Sequence, residues 1–209
     1  MSKIISFHLL NDYSGSPKVL KMVLDGFVEN GNEVDIITSN GGVLDELSSQ
    51  KNIKIFHIPY KFSNNTIVTM LRYILVQITT FFFAFRWFFC ENIVFYINTI
   101  LPIGPALAGR LMGKKVIYHY HENADSKGAF YKILAWFMQI LANKIICVSM
   151  YQASLLKRKM GVFVIPNALP NDFISKLNPN ISLILIALKI LNASSLILIK
   201  GSPIILIIL

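Results

Sequence analysis

Short apolar, β-branched runs alternate with helix-period segments along most of this chain, and no other feature restricts its fold as strongly. Residues 3–10 read as a first strand. Asn11-Asp12-Tyr13-Ser14-Gly15-Ser16-Pro17 follows, where Ser16 suits a helix cap and Pro17 a first turn. Val19, Leu20, Val23, Leu24, Phe27 and Val28 then recur at helical spacing, and Gly31 ends the segment. Residues 33–39 form a second strand, broken by Asn40-Gly41-Gly42, and residues 53–59 a third. A long apolar helix is predicted over 66–89, a strand over 93–98, a short helix over 103–112 closed by Gly113, and a strand over 115–121. Ser126 is predicted to cap a helix with one apolar stripe, Phe130, Ile133, Leu134, Phe137, Met138 and Leu141. A strand over 144–148, a helix capped by Ser149 and running to Met160, and a strand over 162–166 complete the series.

Strands that alternate with helices form a parallel sheet covered on both faces, and such buried strands are apolar throughout, as these are. The expected class is therefore α/β: a Rossmann-like, mostly parallel sheet with helices on both faces, over residues 1–170. Of the 209 residues 54% are hydrophobic and 15% charged, enough to bury a large core and too apolar for a disordered chain. Residues 171–180, bracketed by Pro170 and Pro179, read as a linker. Residues 181–209 are dominated by Ile and Leu, with Lys189 and Lys200 interrupting them, and cannot bury a core of their own.

The net charge of +9 allows nucleic acid, anionic lipid or phosphorylated ligands. Its densest run, Lys157-Arg158-Lys159, reads as a solvated helix end, and no basic-aromatic surface of the kind that stacks bases is visible, so no nucleic-acid partner is expected. Cys90 and Cys147 have no metal-like or redox-like spacing and fit a reducing, cytoplasmic setting. The first ten residues read as a strand rather than a secretory signal.

Ligands of open α/β sheets bind beyond the carboxyl ends of the strands. That directs attention to residues 11–17, 40–42, 98–102, 119–125 and Ser149. Gly15 has two open readings: close approach of a ligand to a helix N-terminus, or a tight turn with positive φ. No GxGxxG, P-loop or Asp-x-Asp occurs, which disfavours dinucleotide enzymes, NTPases and one common way of holding a metal-bound diphosphate. Alternation places His119 and His121 on one side of their strand and Tyr118 and Tyr120 on the other. A neutral imidazole there can donate to a sugar hydroxyl or take part in proton transfer. His119 reads better as a satisfied core histidine, and a two-histidine metal site lacks a third ligand nearby. In the helix over 66–89, Phe81, Phe82, Phe83, Phe85, Trp87, Phe88 and Phe89 crowd the end, and 13 uncharged residues separate Arg72 from Arg86. That is too short for a membrane span; one face is expected to be buried, and the other is open to a membrane surface.

Taken in order, these segments resemble glycosyltransferase family 4. Tyr13-Ser14-Gly15-Ser16-Pro17 is similar to its glycine-containing loop, and Tyr118-His119-Tyr120-His121-Glu122-Asn123 to its strand-end His-Glu segment. Lys144-Ile145-Ile146-Cys147-Val148-Ser149 resembles the strand that ends in a serine, and Val164-Ile165-Pro166-Asn167-Ala168 the element before the interdomain linker. The segment from Lys189 to Lys200-Gly201 is similar to the first strand and loop of the donor domain, with Ser195 where many relatives carry Arg. The resemblance implies the N-terminal, acceptor-side half of a GT-B fold, cut off as it enters the donor domain and inactive alone. It implies metal-free transfer of a sugar, with retention, from a nucleotide-sugar donor to a glycan or lipid-linked acceptor in cell-surface polysaccharide synthesis. His121 would act on the transferred sugar. Gly15, Ser16, Glu122, Ser149, Asn167 and Lys200 would bind substrate, Gly15 near the donor phosphates and Lys200 as a point charge on the diphosphate. The protein would be cytoplasmic, or peripheral at the inner membrane face on anionic lipid. The competing expectation is a non-catalytic Rossmann-like binding module at the membrane surface.

Overall fold

The computed structural model describes residues 2–167; the linker over 171–180, the segment over 181–209, Ser195 and Lys200 lie outside the described residues. Seven strands form one sheet: β1 (Lys3–His8), β2 (Glu33–Thr38), β3 (Ile53–His57), β4 (Ile93–Asn98), β5 (Lys115–Tyr120), β6 (Lys144–Cys147) and β7 (Val162–Val164). Their order is β3-β2-β1-β4-β5-β6-β7, and every neighbouring pair is parallel. The chain starts in the middle, winds out to β3, crosses back to β4 and winds out to β7. The strand order therefore reverses between β1 and β4, and the crevice of such a sheet opens at that point.

Five α-helices cover the sheet: α1 (Gly15–Glu29), α2 (Thr66–Ala84), α3 (Ile103–Leu111), α4 (Ala129–Leu141) and α5 (Met150–Leu155). On one face, Leu20, Leu24 and Phe27 of α1 pack with Val43, Leu44 and Leu47 of a 3-10 turn (Val43–Ser49) against Ile4, Val34, Ile36, Val94 and Ile117. On the other, Tyr73 and Val76 of α2, Ala106 and Ala108 of α3, and Leu134 and Met138 of α4 meet Phe7, Phe95, Ile97, Val116 and Tyr118. The helices come close where side chains vanish. A Cβ on Gly109 would collide with Phe95, and one on Gly104 with the carbonyl oxygen of Gln77. The 3-10 turn after α2 (Phe85–Trp87) is docked through Trp87, whose Nε1 donates to buried Asp35 at 3.0 Å. Lys3 neutralises that carboxylate from 2.9 Å.

Four expected helix ends differ. The apolar helix expected over 66–89 ends at Ala84 and tightens into the 3-10 turn Phe85–Trp87. Asp12 Oδ1 accepts from the Ser14 amide at 2.9 Å, and this local turn makes Ser14 the N-cap, so Ser16 lies inside the first turn. Asn123 captures the amides of Asp125 and Ser126, and Ser126 Oγ donates back to the Asn123 carbonyl. The α4 helix therefore starts later, after Gly128 with φ 96°, and Ser126 does not cap it. The α5 helix stops at Leu155, well before Met160. Arg158 ends it: its guanidinium donates to the carbonyls of Gln139, Ala142, Asn143 and Met160, which pins the Lys157-Arg158-Lys159 run to the α4–β6 connection.

Candidate functional site

The carboxyl ends of β1, β4 and β5 meet under the start of α1. Strand register alone sets this up, because His8, Asn98, His119 and His121 fall on the α1 side of their strands. Asn98 joins three of the elements. Its Nδ2 lies 3.1 Å from His8 Nδ1 and 3.4 Å from the Ser16 carbonyl oxygen, and its Oδ1 lies 2.9 Å from His121 Nε2. Beneath, His119 stacks against His121 with ring centroids 4.1 Å apart, and its Nδ1 shares a 2.8 Å hydrogen bond with the Tyr96 hydroxyl.

Burial keeps this cluster neutral. It lowers the pKa of His8 and of His121 to about 4, and it also holds that of His119 well below the ordinary histidine range, where the nearby His121 adds to the effect. Burial acts on Glu122 in the opposite sense and raises its pKa, although the carboxylate accepts from the Ile100 amide at 3.3 Å. At neutral pH the imidazoles are therefore hydrogen-bonding groups rather than charges.

The α1 N-terminus opens onto the same crevice. Ser14 makes no side-chain capping bond and the first turn has no acidic residue; Gly15 and Ser16 carry amide N–H groups there and Pro17 carries none. Gly15 lacks positive φ, so the turn reading fails there; a Cβ on it would meet nothing within 4 Å, and the space above is open. Its neighbour loop is rigid. Asn11 donates to Asp45 at 2.9 Å and accepts from the Leu44 amide at 3.0 Å, while a Cβ on Gly42 would lie 2.5 Å from Asn11.

Ser149 does cap α5, accepting from the Gln152 amide at 3.2 Å. Buried Gln152 reaches back to the end of β5, donating to the carbonyls of His121 at 2.7 Å and Glu122 at 3.1 Å. The structure thus brings Gly15, Ser16, His121, Glu122 and Ser149 to one end of the sheet. Asn167 is exposed beyond β7 and joins none of these bonds. Gln152 escaped sequence reasoning, whereas Asn11 and Asn98 lay in segments it singled out without being given a role. Gln152 had a signal, since Ser149-x-x-Gln152 is a capping-box spacing. Asn98 had only its position as the last residue of a strand at the switch point. Among the described residues no group of three or more His, Cys, Asp or Glu side chains could hold a metal ion.

The profile of the family described as Glycosyltransferase Family 4 matches residues 13–173. No curated protein matches the chain. Among solved structures, Anabaena Alr3699/HepE, in complex with UDP and glucose, is similar over 86% of this chain and 48% of its own, with a TM-score of 0.59 and 15% identity. Arabidopsis thaliana UGT89C1, complexed with UDP-L-rhamnose, is similar over 81% of this chain and 53% of its own, with a TM-score of 0.59 and 9% identity. Acinetobacter baumannii MurG is similar over 79% and 45%, with a TM-score of 0.53 and 13% identity. This chain spans about half the length of each. At these identities the likeness is one of fold, that of the N-terminal half of a GT-B glycosyltransferase.

Proposed function

Because the chain belongs to glycosyltransferase family 4, we propose that it forms the acceptor-side half of a retaining sugar transferase that uses a nucleotide-sugar donor. The observation that carries this is the convergence of the open α1 N-terminus with His8, Asn98 and His121 at the switch point of the sheet. The amides of Gly15 and Ser16 and the open space at Gly15 suit the diphosphate of a donor. His121 and Glu122 suit the hydroxyls of the transferred sugar. In this reading Ser16, Ser149 and Asn167 shape the cleft wall, Lys200 meets the diphosphate, and no metal takes part. The acceptor is a glycan or a lipid-linked sugar of cell-surface polysaccharide synthesis, handled in the cytoplasm at the inner membrane face.

A neutral cluster fits such substrates because a sugar hydroxyl exchanges hydrogen bonds with an uncharged imidazole without desolvating an ion. The polypeptide is expected to bind acceptor at this crevice. The test is a titration of the full chain with lipid-linked and free glycans, followed by NMR at His8, Asn98 and His121. Shifts confined to these residues support the reading. Shifts confined to remote surfaces would sink it.

A second observation favours a membrane partner. Counted whole, with its arginines included, the stretch Thr66–Trp87 is long and apolar enough to cross a membrane by length and composition, which corrects the expectation drawn from the 13 residues between Arg72 and Arg86. It lies on the sheet instead, tied to α3 where Gln77 Oε1 accepts from the Gly104 amide at 2.8 Å. Its outer stripe and that of α4 remain exposed: Leu75 is 62% and Trp136 54% accessible. The elements α2, Phe85–Trp87, α3 and α4 carry Arg72, Arg86, Arg110 and Lys132 and no acidic residue. An anionic lipid surface complements both properties, whether the domain acts in transfer or as a binding module alone.

A further inference from the structure

We infer that Asn98 is a positioning residue: it fixes His121 as the Nε2–H tautomer, so the ring offers Nδ1 to the cleft as an acceptor for a ligand hydroxyl or amide N–H. The inference rests on His121 lying in the ligand-binding cleft, as proposed above, but its first test needs no ligand.

The amide of Asn98 decides the tautomer. Nitrogen and oxygen of an amide are told apart by their partners. One end of this amide faces the Ser16 carbonyl oxygen at 3.4 Å as well as His8 Nδ1 at 3.1 Å. A carbonyl oxygen can only accept, so that end is the NH2 group. The other end is then the oxygen, which lies 2.9 Å from His121 Nε2 and can only accept from it. The proton of the neutral ring must therefore sit on Nε2, and Nδ1 carries the lone pair.

The rest of the surroundings agree. His121 is only part-buried, just past the end of β5 and on the α1 side of that strand, where the crevice opens. The ring is held from below by His119, whose Nδ1 is engaged by Tyr96, and along the backbone by Gln152. Asn98 itself is fully buried at the end of β4 and spans β1, β5 and α1, so its orientation is set by three elements at once. An aspartate in its place could still accept from Nε2–H. A leucine of similar size could not.

A chemical selectivity follows. An uncharged ring with an outward lone pair accepts a hydrogen bond from a hydroxyl or an amide N–H, and repels the lone pairs of a carboxylate or phosphate. Anions are left to the α1 N-terminus, and neutral ring substituents to His121. The donor role for His121 allowed by the sequence is excluded in this tautomer.

The experiment is long-range 1H–15N correlation NMR of the full chain with 15N-labelled histidine. The expected result is an Nε2–H form of His121 whose proton exchanges slowly with water. That slow exchange should persist in Asn98→Asp and be lost in Asn98→Leu. A wild-type chain with the proton on Nδ1 overturns the inference, as does equal protection of Nε2–H in Asn98→Leu. If Asn98→Leu fails to fold, the wild-type tautomer and Asn98→Asp still decide it. A second arm adds methyl glucoside or inorganic phosphate. A shift of His121 Nδ1 with the glucoside alone supports acceptor selectivity, and an equal shift with phosphate overturns it. The correct tautomer with no response to the glucoside or to any glycan would leave the role of Asn98 standing and remove the proposed sugar site.

Discussion

On one side of the sheet, α1 and the 3-10 turn bury their apolar residues and present Lys18, Glu29 and Glu46 to solvent. On the other side, α2 and α4 each bury one apolar stripe and expose a second. In α2 the inner stripe is Tyr73, Val76, Thr80 and Ala84, and the outer one Leu71, Ile74, Leu75, Ile78 and Phe82. In α4 the inner stripe is Leu134, Ala135, Met138 and Leu141, and the outer one Ile133, Trp136, Phe137 and Ile140. The first side is finished by water and gathers its histidines and Asn98 where the crevice opens. The second is finished only when something apolar covers it, because contiguous exposed patches of this kind are rare on free monomers. One sheet therefore separates a hydrogen-bonding site from an apolar surface.

The largest expected effect breaks the second side alone. Leu75→Ser, Phe82→Ser and Trp136→Ser combined remove three exposed side chains. At about 1 kcal/mol each, below the ~1.5–3 kcal/mol of full burial, binding to anionic vesicles should fall by roughly 100-fold. The melting temperature should hold, since none of the three is in the core. Salt should weaken wild-type binding as well, each basic residue near the leaflet contributing about 1 kcal/mol before screening. Flotation with neutral and anionic vesicles measures both. Unchanged binding in the triple variant would show that this face is not the contact.

Acid should act on the other side. The folded-state pKa of His8 is about 4, below its ordinary value of 6.5. The unfolded chain therefore takes up the proton first as pH falls. Stability is full above about pH 6.5 and is lost as pH drops toward 4, by about 3 kcal/mol for His8. His121 shifts the same way. Glu122, with its pKa raised, works in the opposite sense and offsets part of the loss. Hydrogen exchange between pH 7 and 5 should show amides of α1 and the strand ends losing protection before those of α2, which carries no histidine. Earlier opening of α2 would break the contrast.

These two sides were unequally legible in the sequence. Strand runs and their alternation with helices gave the sheet, because burial on both faces demands continuous apolar strands. The stripe expected in α4, Phe130 to Leu141, mixes inner and outer residues. Phe130, Ile133 and Phe137 turn outward. A helix that is apolar nearly all round has no period that says which stripe meets the core. The site was legible where it is local, as at His121 and Ser149. It was hidden where it depends on register, as at Asn98, whose partners lie 82, 90 and 23 residues away. The turns around Asp12 and Asn123 moved helix starts because short polar side chains compete with helix hydrogen bonds at close range.

Two glycines sharpen the comparison at smaller magnitude. Gly104→Ala would drive a methyl into the Gln77 backbone between α2 and α3, and Gly42→Ala into Asn11 beneath the crevice. Each should cost roughly 1–3 kcal/mol, as overpacking does. Gly26→Ala in the middle of α1 meets nothing within 4 Å and should gain about 0.5–1 kcal/mol. Denaturant unfolding of the three variants checks the order. Gly42→Ala should also loosen the loop that carries Ser14 and Gly15, whereas Gly104→Ala should leave it intact.

The smallest effect is at the backbone on either end of β4. Among the described residues, two other than glycine have positive φ: Asn92 at 52°, just before the strand, and Thr99 at 71°, just after it. Asparagine tolerates this region, and a β-branched threonine does not. Thr99 is nevertheless buried there, its amide bonded to the His119 carbonyl at 2.9 Å and its hydroxyl near the Leu101 amide at 3.4 Å. Strain of about 1–3 kcal/mol is thus held next to His119, His121 and Glu122 and absent from the opposite end of the strand. Thr99→Gly releases it, at a cost of about 0.5–1 kcal/mol in backbone entropy and one long hydrogen bond. The net expectation is a gain of up to about 1 kcal/mol, against no gain for Asn92→Gly, where little strain exists to release. If the strained turn serves to aim the strand end at a ligand, Thr99→Gly should stabilise the fold and weaken glycan binding together. A loss of stability in Thr99→Gly would mean that the hydroxyl and methyl packing of Thr99 outweigh its backbone, and that the site side of the sheet holds no strain.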